Sequence, residues 1–159
     1  MRVQIIAHTP EPEQVVAAAA RLCYSQVGAE ALLERLTQEA VDQLLGRLEQ
    51  SGHLSPFEHV SFTFSIEGVS RALSHQLVRH RIASYSQQSQ RYVSQKQFAY
   101  ITPPTLTGEA LTIFNRQMEA LQEAYTQLVA LGIPREDARY LLPNASETKL
   151  VATMNCRSL

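Results

Sequence analysis

Apolar positions along the chain change their spacing several times, and each change predicts an element. "VQIIA" at residues 3–7 is a short apolar run that reads as a first strand. "EPEQVVAAAARLCYS" follows, with Pro12 near the first helical position and Val15, Val16, Ala19, Leu22 and Cys23 on one helical stripe. That stripe places Cys23 in the core. Leu33, Leu36, Ala40, Leu44 and Leu48 recur at three- and four-residue steps and predict one amphipathic helix ending by Gly52. "SPFE" at 55–58 has the layout of a capping box, with Ser55 as N-cap, Pro56 at the first position and Glu58 at the third.

Val60, Phe62, Phe64 and Ile66 then alternate with Ser61, Thr63 and Ser65, which predicts a half-buried strand ended by Gly68. In "VSRALSHQLVRH" a helical stripe carries Val69, Leu73 and Leu77, and its continuation would turn His80 toward the core. "SYSQQSQ" has weak helix propensity and no apolar face, so it reads as a loop or irregular extended segment. "TPPT" breaks the chain before a long helix over about 107–131 closed by Gly132. Pro134 opens a shorter helix that stops before Pro143, and "ETKLVATMN" predicts a last strand. The closing "NCRSL" has the form of an N-cap and a first helical turn, so a C-terminal piece is expected to be missing. The expected class is α+β, a mixed or antiparallel sheet packed with helices in a single domain over 1–159, without repeats or linkers.

Composition narrows the function classes. At 159 residues, 45% hydrophobic and 18% charged, the chain buries a real core and is not disordered. Its longest apolar runs, such as Val15–Ala20, are too short to span a bilayer, and the N-terminus lacks a signal-peptide layout. Two cysteines give no disulfide framework, so a reducing, cytoplasmic location is expected. A net charge of −1 conceals an asymmetry: between Glu67 and Glu109 there is no acid, while Arg71, Arg79, Arg81, Arg91 and Lys96 all fall there. Such a region suggests a discrete anionic ligand rather than nucleic acid. A solvated basic face, paired with acids from other segments, explains the charge equally well.

The chemistry concentrates in "RHRIASYSQQSQRY" at 79–92. On a continuing helix Arg79, His80 and Arg81 would fan across roughly 200° and could not grip one small anion. Either the helix ends there, or the triplet serves two ligands or two subunits. The following hydroxyls and amides suit a nucleobase, and arginine forks suit a phosphate. No glycine occurs between 69 and 107, so side chains rather than a glycine-rich turn would hold that phosphate. A polar surface loop is the plain alternative. His75 and His80 lie about 140° apart on a helix, and His53 and His59 lack cysteine or paired carboxylate neighbours, so no metal is expected. Cys156, beside Arg157, has no evident base, and Ser89 reads as a ligand contact more than a nucleophile.

Together with its flanks, "HLSPFEHVSFTFSIEGVSRALSHQLVRHR" and "YLLPNASETKLVATMN", the stretch closely resembles the flavin-dependent thymidylate synthases, whose signature is an RHR triplet followed after seven residues by serine and then arginine. The resemblance covers essentially the whole chain. It implies FAD, dUMP, NADPH and methylene-tetrahydrofolate as ligands, reductive methylation of dUMP to dTMP, and a homotetramer with active sites where subunits meet. The flavin carries the hydride chemistry and no enzymic cysteine nucleophile is used. It implies FAD contacts from Arg79, His80 and Arg81, from Ser55, from Gln87, and from Asn155, Cys156 and Arg157. It implies a dUMP cradle of Gln76, Leu77, Val78 and Arg79 with Gln87, Gln88, Ser89, Gln90, Arg91 and Arg139. Gln87 stands where members often have glutamate, and for Arg139 an ion pair with Glu136 or Asp137 is the plain alternative. Catalytic roles fall to His53, at the flavin face toward folate or nicotinamide, to Arg79 and to Ser89. Family members continue several dozen residues beyond Leu159, with further flavin contacts and an arginine that polarises the uracil. The 159-residue chain is therefore expected to bind flavin weakly or not at all and to lack synthase activity. A non-catalytic nucleotide-binding module is the runner-up.

Overall fold

The alternation in "SFTFSIEGVS" forms a strand as expected, and it is the second of four. In the computed structural model, which describes residues 1–159, these are β1 (Arg2–His8), β2 (Ser61–Ser70), β3 (Ala83–Gln87) and β4 (Glu147–Asn155). They make one antiparallel sheet in the order β1-β2-β4-β3, so β1 and β3 are its edges. The helices are α1 (Pro12–Leu22), α2 (Ala29–Arg35), α3 (Gln38–Ser51), α4 (Arg71–Leu77), α5 (Gly108–Ala130) and α6 (Arg135–Ala138). Short 3-10 turns occupy Ser55–His59, Arg139–Leu141 and Cys156–Ser158. The class is α+β. No helix is long and apolar enough to cross a membrane.

Two compact units divide the chain. One comprises Met1–Val3, Ser65–Arg81 and Tyr85–Val151; the other comprises Gln4–Phe64, Ile82–Ser84 and Ala152–Leu159. In the second unit a cluster of Val16, Ala20, Leu48 and Val60 is joined by Leu44, Leu45, Phe57, Phe62 and Cys156. Burial on α1 falls on Val16, Ala17, Ala18 and Ala20, and Cys23 is exposed rather than in the core. The four-alanine run offers apolar surface on a neighbouring face, and that face is the one that packs. The single helix predicted through Leu33–Leu48 is two, α2 and α3. Thr37 accepts a hydrogen bond from Ala40 N (3.3 Å) and starts a new helix, while Leu36 turns extended. Gly52, at φ 69°, closes α3 in the left-handed conformation that glycine takes without strain.

In the first unit, α5 buries Met118 and Tyr125, and Tyr100 meets Phe114 edge-on at 5.8 Å. β2 does not stop at Gly68 but runs through it to Ser70, with Gly68 at φ 67°. A Cβ there would sit 3.3 Å from the Met1 backbone, so glycine permits both the conformation and the close approach. Val69 is consequently a buried strand residue and not part of a helical stripe.

Candidate functional site

The Ser70 hydroxyl accepts from Leu73 N (3.1 Å) and caps α4, a helix of seven residues. Beyond Leu77 the backbone tightens: Arg79 N donates to Gln76 O and His80 N to Leu77 O, each at 3.1 Å. Arg79, His80 and Arg81 leave the helix and are all exposed. The helical period that would have carried His80 inward stops before reaching it. Its carbonyl instead accepts the Tyr85 hydroxyl at 3.2 Å. Gln76 and Val78 are exposed and Leu77 is half-buried. The two ion pairs in the structure are Arg91–Glu136 and Arg157–Glu58, so no side chain of the RHR triplet is neutralised by a carboxylate.

"ASYSQ" is a paired edge strand rather than a loop. Ala83, Tyr85 and Gln87 are half-buried and Ser84 and Ser86 exposed, a period of two that polar residues conceal. At its end the Gln87 amide donates to Ser74 Oγ (2.8 Å) and Thr148 Oγ1 (3.1 Å), both on buried residues. Gln88 is held on both sides: its N–H donates to Lys149 O (3.0 Å), and its carbonyl accepts from Arg71 Nη2 (2.6 Å). The next turn closes as Arg91 N donates to Ser89 Oγ (3.1 Å) and Val93 N to Ser89 O (3.2 Å). Ser89 Oγ is thus occupied by a backbone amide, with no base bonded to it.

Arginines gather around this turn. Arg91 Nη2 reaches Glu136 Oε2 at 3.3 Å, and its guanidinium lies 5.6 Å from the Tyr92 ring centroid. Arg139 donates through Nε to the Glu136 carbonyl (3.0 Å) and lies 5.8 Å from the Tyr140 ring centroid. It pairs with neither the Glu136 nor the Asp137 carboxylate, because Glu136 turns its side chain to Arg91. Arg71 is the half-buried member. Burial, and then the neighbouring Arg139 charge, push its guanidinium below the usual arginine range, and its Nε is buried without a partner. Neither Arg71 nor Arg139 is in an ion pair, and two unneutralised like charges that act on one another favour an anion. Arg71 counted in the acid-free run, yet nothing local distinguished it from its neighbours. Ser74, Thr148 and Glu136 carried no sequence signal as site residues.

The second unit holds a separate group. Ser55 is not an N-cap: the turn begins at Leu54, where Phe57 N donates to Leu54 O (3.1 Å), and no side chain caps it. Glu58 does not reach back to it but pairs with Arg157. The Ser55 hydroxyl is left exposed and makes no hydrogen bond to protein. His53 is exposed just after Gly52. Asn155 Oδ1 accepts from Ser158 N (3.0 Å) and Ser158 Oγ (2.7 Å), so the expected final N-cap is formed. Cys156 N donates to Val60 O at 2.8 Å, and its side chain packs on the apolar cluster. The turn carrying Ser55 and the turn carrying Asn155–Arg157 are therefore tied together twice.

Known proteins carry the same arrangement of sequence. A flavin-dependent thymidylate synthase of Clostridium tetani is 51% identical over 177 residues, an alignment spanning 100% of this chain and 71% of that protein. One of Geobacter sulfurreducens is 52% identical over 163 residues, covering 100% and 70%. Among solved structures, the crystal structure of a UMP/dUMP methylase from Streptomyces cacaoi bound with 5-Br dUMP superposes with a TM-score of 0.80 at 27% identity, covering 99% of this chain and 73% of that one. Residues 4–159 match the family model described as thymidylate synthase complementing protein. With that match over nearly its whole length, and with the arginine-lined turn after β3 in place, the chain belongs to the thymidylate synthase complementing protein family.

Proposed function

We propose that the protein reductively methylates dUMP to dTMP, with methylene-tetrahydrofolate as carbon donor and NADPH-reduced FAD as hydride source, in a cytoplasmic homotetramer whose active sites lie where subunits meet. The observation that carries this reading is the donor-rich, carboxylate-poor turn of the first unit, where Arg71 bonds the Gln88 carbonyl and Arg91 and Arg139 both meet Glu136. Guanidinium forks and a serine hydroxyl suit a phosphate monoester, and Arg91 and Arg139 are its holders. Gln76, Leu77, Val78 and Arg79 flank the pyrimidine, with Gln87 fixing the strand end from which Gln88–Arg91 project.

The residues also fit a flavin dinucleotide. Its diphosphate needs cationic and hydroxyl donors that are not already consumed, and Arg79, His80 and Arg81 make no carboxylate pair while the Ser55 hydroxyl is unbonded. In the first unit Arg79, His80 and Arg81 would offer donors to FAD, and in the second Ser55 and His53 would; Gln87, Asn155, Cys156 and Arg157, whose polar groups are engaged within the protein, would frame those contacts. When bound, the flavin supplies the hydride; the chain supplies binding, orientation and charge. Self-association is supported by β1, an edge strand whose Val3, Ile5 and Ile6 are more than half exposed.

The absorption spectrum of the purified protein, with and without dUMP, tests this. A flavin spectrum whose reduced form reoxidises when dUMP and methylene-tetrahydrofolate are supplied supports the proposal and overturns the expectation that 159 residues lack synthase activity. A colourless protein that still binds dUMP would replace the proposal with a non-catalytic nucleotide-binding module or an inactive fragment of the synthase.

A further inference from the structure

Glu136 is the one carboxylate bonded to an arginine of the proposed nucleotide turn. Its side chain holds Arg91 at 3.3 Å while its carbonyl accepts Arg139 at 3.0 Å, so a single residue at the start of α6 touches both arginines assigned to the phosphate. The pair is open to water, with side chains 51% and 56% exposed for Arg91 and Glu136. A contact of that kind is weak and replaceable. Arg91 has its backbone N–H committed to Ser89 Oγ, so exchanging carboxylate for phosphate needs only a side-chain movement.

We propose that Glu136 is an internal stand-in for the phosphate: it occupies Arg91 in the free protein, yields it to the nucleotide, and recaptures it when the nucleotide leaves. The inference rests on the proposed dUMP site and adds to it a residue that sets how tightly the phosphate end is held. A phosphate dianion bonds the guanidinium more strongly than a carboxylate and displaces it. Because substrate and product carry the same 5′-phosphate, Glu136 weakens both alike and speeds their exchange. A nucleoside, having no phosphate, does not compete for Arg91 and is indifferent to Glu136.

Titrating the purified protein with dUMP, dTMP and deoxyuridine separates the possibilities. Glu136→Gln removes the charge, and Glu136→Asp keeps it on a side chain one methylene shorter. Both variants are expected to tighten dUMP and dTMP by about two- to fivefold, the worth of one exposed ion pair, and to leave deoxyuridine unchanged. Unchanged or weakened dUMP binding in Glu136→Gln overturns the inference. So does tightening in Glu136→Gln while Glu136→Asp matches the wild type, since that pattern reports a diffuse field and not the contact. Equal tightening of deoxyuridine overturns it as well. Absence of dUMP binding in the wild type and both variants sinks the proposed function instead, and the inference with it. Thermal melts of the three proteins confirm folding, as expected for a position this exposed.

Discussion

α1 and α3 on one hand, and the stretch from Arg71 to Arg91 on the other, are held by different forces. The helices bury Val16, Ala17, Ala20, Val41 and Leu48, side chains that attract without regard to angle. The stretch is held by directed bonds: Gln87 to Ser74 and Thr148, Arg71 to Gln88, Arg91 N to Ser89. Apolar burial fixes how near two elements lie, whereas hydrogen bonds also fix which way a side chain points. A turn that must aim arginines at a phosphate needs the second kind, and it takes it at the cost of tolerance to change.

The sharpest division between the regions comes from charge placed in the helical one. Val41 on α3 is 0% exposed. Val41→Asp forfeits the burial of an apolar side chain and strands a carboxylate away from water, a combined loss of about 4 kcal/mol or more. Denaturant melts should show the variant largely unfolded or shifted far downward. A mild effect would mean that the α1–α3 layer is not held by its apolar contacts.

Arg91→Ala tests the other region, where function and stability should come apart. Arg91 is half exposed and its ion pair with Glu136 is weak, so the melting midpoint should move by less than about 0.5 kcal/mol equivalent. Losing a guanidinium that grips phosphate should weaken dUMP by about 2 kcal/mol, roughly thirtyfold. A steep fall in stability with affinity preserved would make the turn structural.

The same contrast explains what could be read from the chain. β2, β4, α5, the existence of α1 though not its packing face, and the final N-cap at Asn155 follow from apolar period and capping residues, whereas β1 follows from an apolar run that the fold leaves exposed. Where a single polar bond decides, period misleads. Thr37 splits a helix that Leu33, Leu36, Ala40 and Leu44 make continuous, and the end of α4 at Leu77 frees His80 from the stripe that Leu73 and Leu77 suggest. "SYSQQSQ" hid a strand because its inward residues are Tyr85 and Gln87, and Gln87 is accommodated only by Ser74 and Thr148, distant in sequence. The candidate site was legible as a run of bases, amides and hydroxyls. Its supports, Arg71 beneath Gln88 and Glu136 beside Arg91, depend on pairings that no local pattern displays.

Thr148→Val gives the smallest effect and decides the comparison by sign. Thr148 is 1% exposed, and valine has nearly its shape with a methyl in place of the hydroxyl. Were this region held by burial as α1 and α3 are, the added apolar group would leave stability unchanged or raise it. Held as described, the substitution takes away an acceptor from the Gln87 amide, whose second N–H bonds Ser74, and leaves one donor short of a partner. Gln87 is half-buried, so water restores only part of the loss, and destabilisation of about 1 kcal/mol is expected, a fall of roughly 2–4 °C in melting midpoint for a domain of this size. Because Gln87 anchors the strand end that leads into Gln88–Arg91, dUMP affinity should fall in the same variant. A melting midpoint that rises would show that the buried hydroxyl contributes nothing, and that the turn owes its geometry to packing after all.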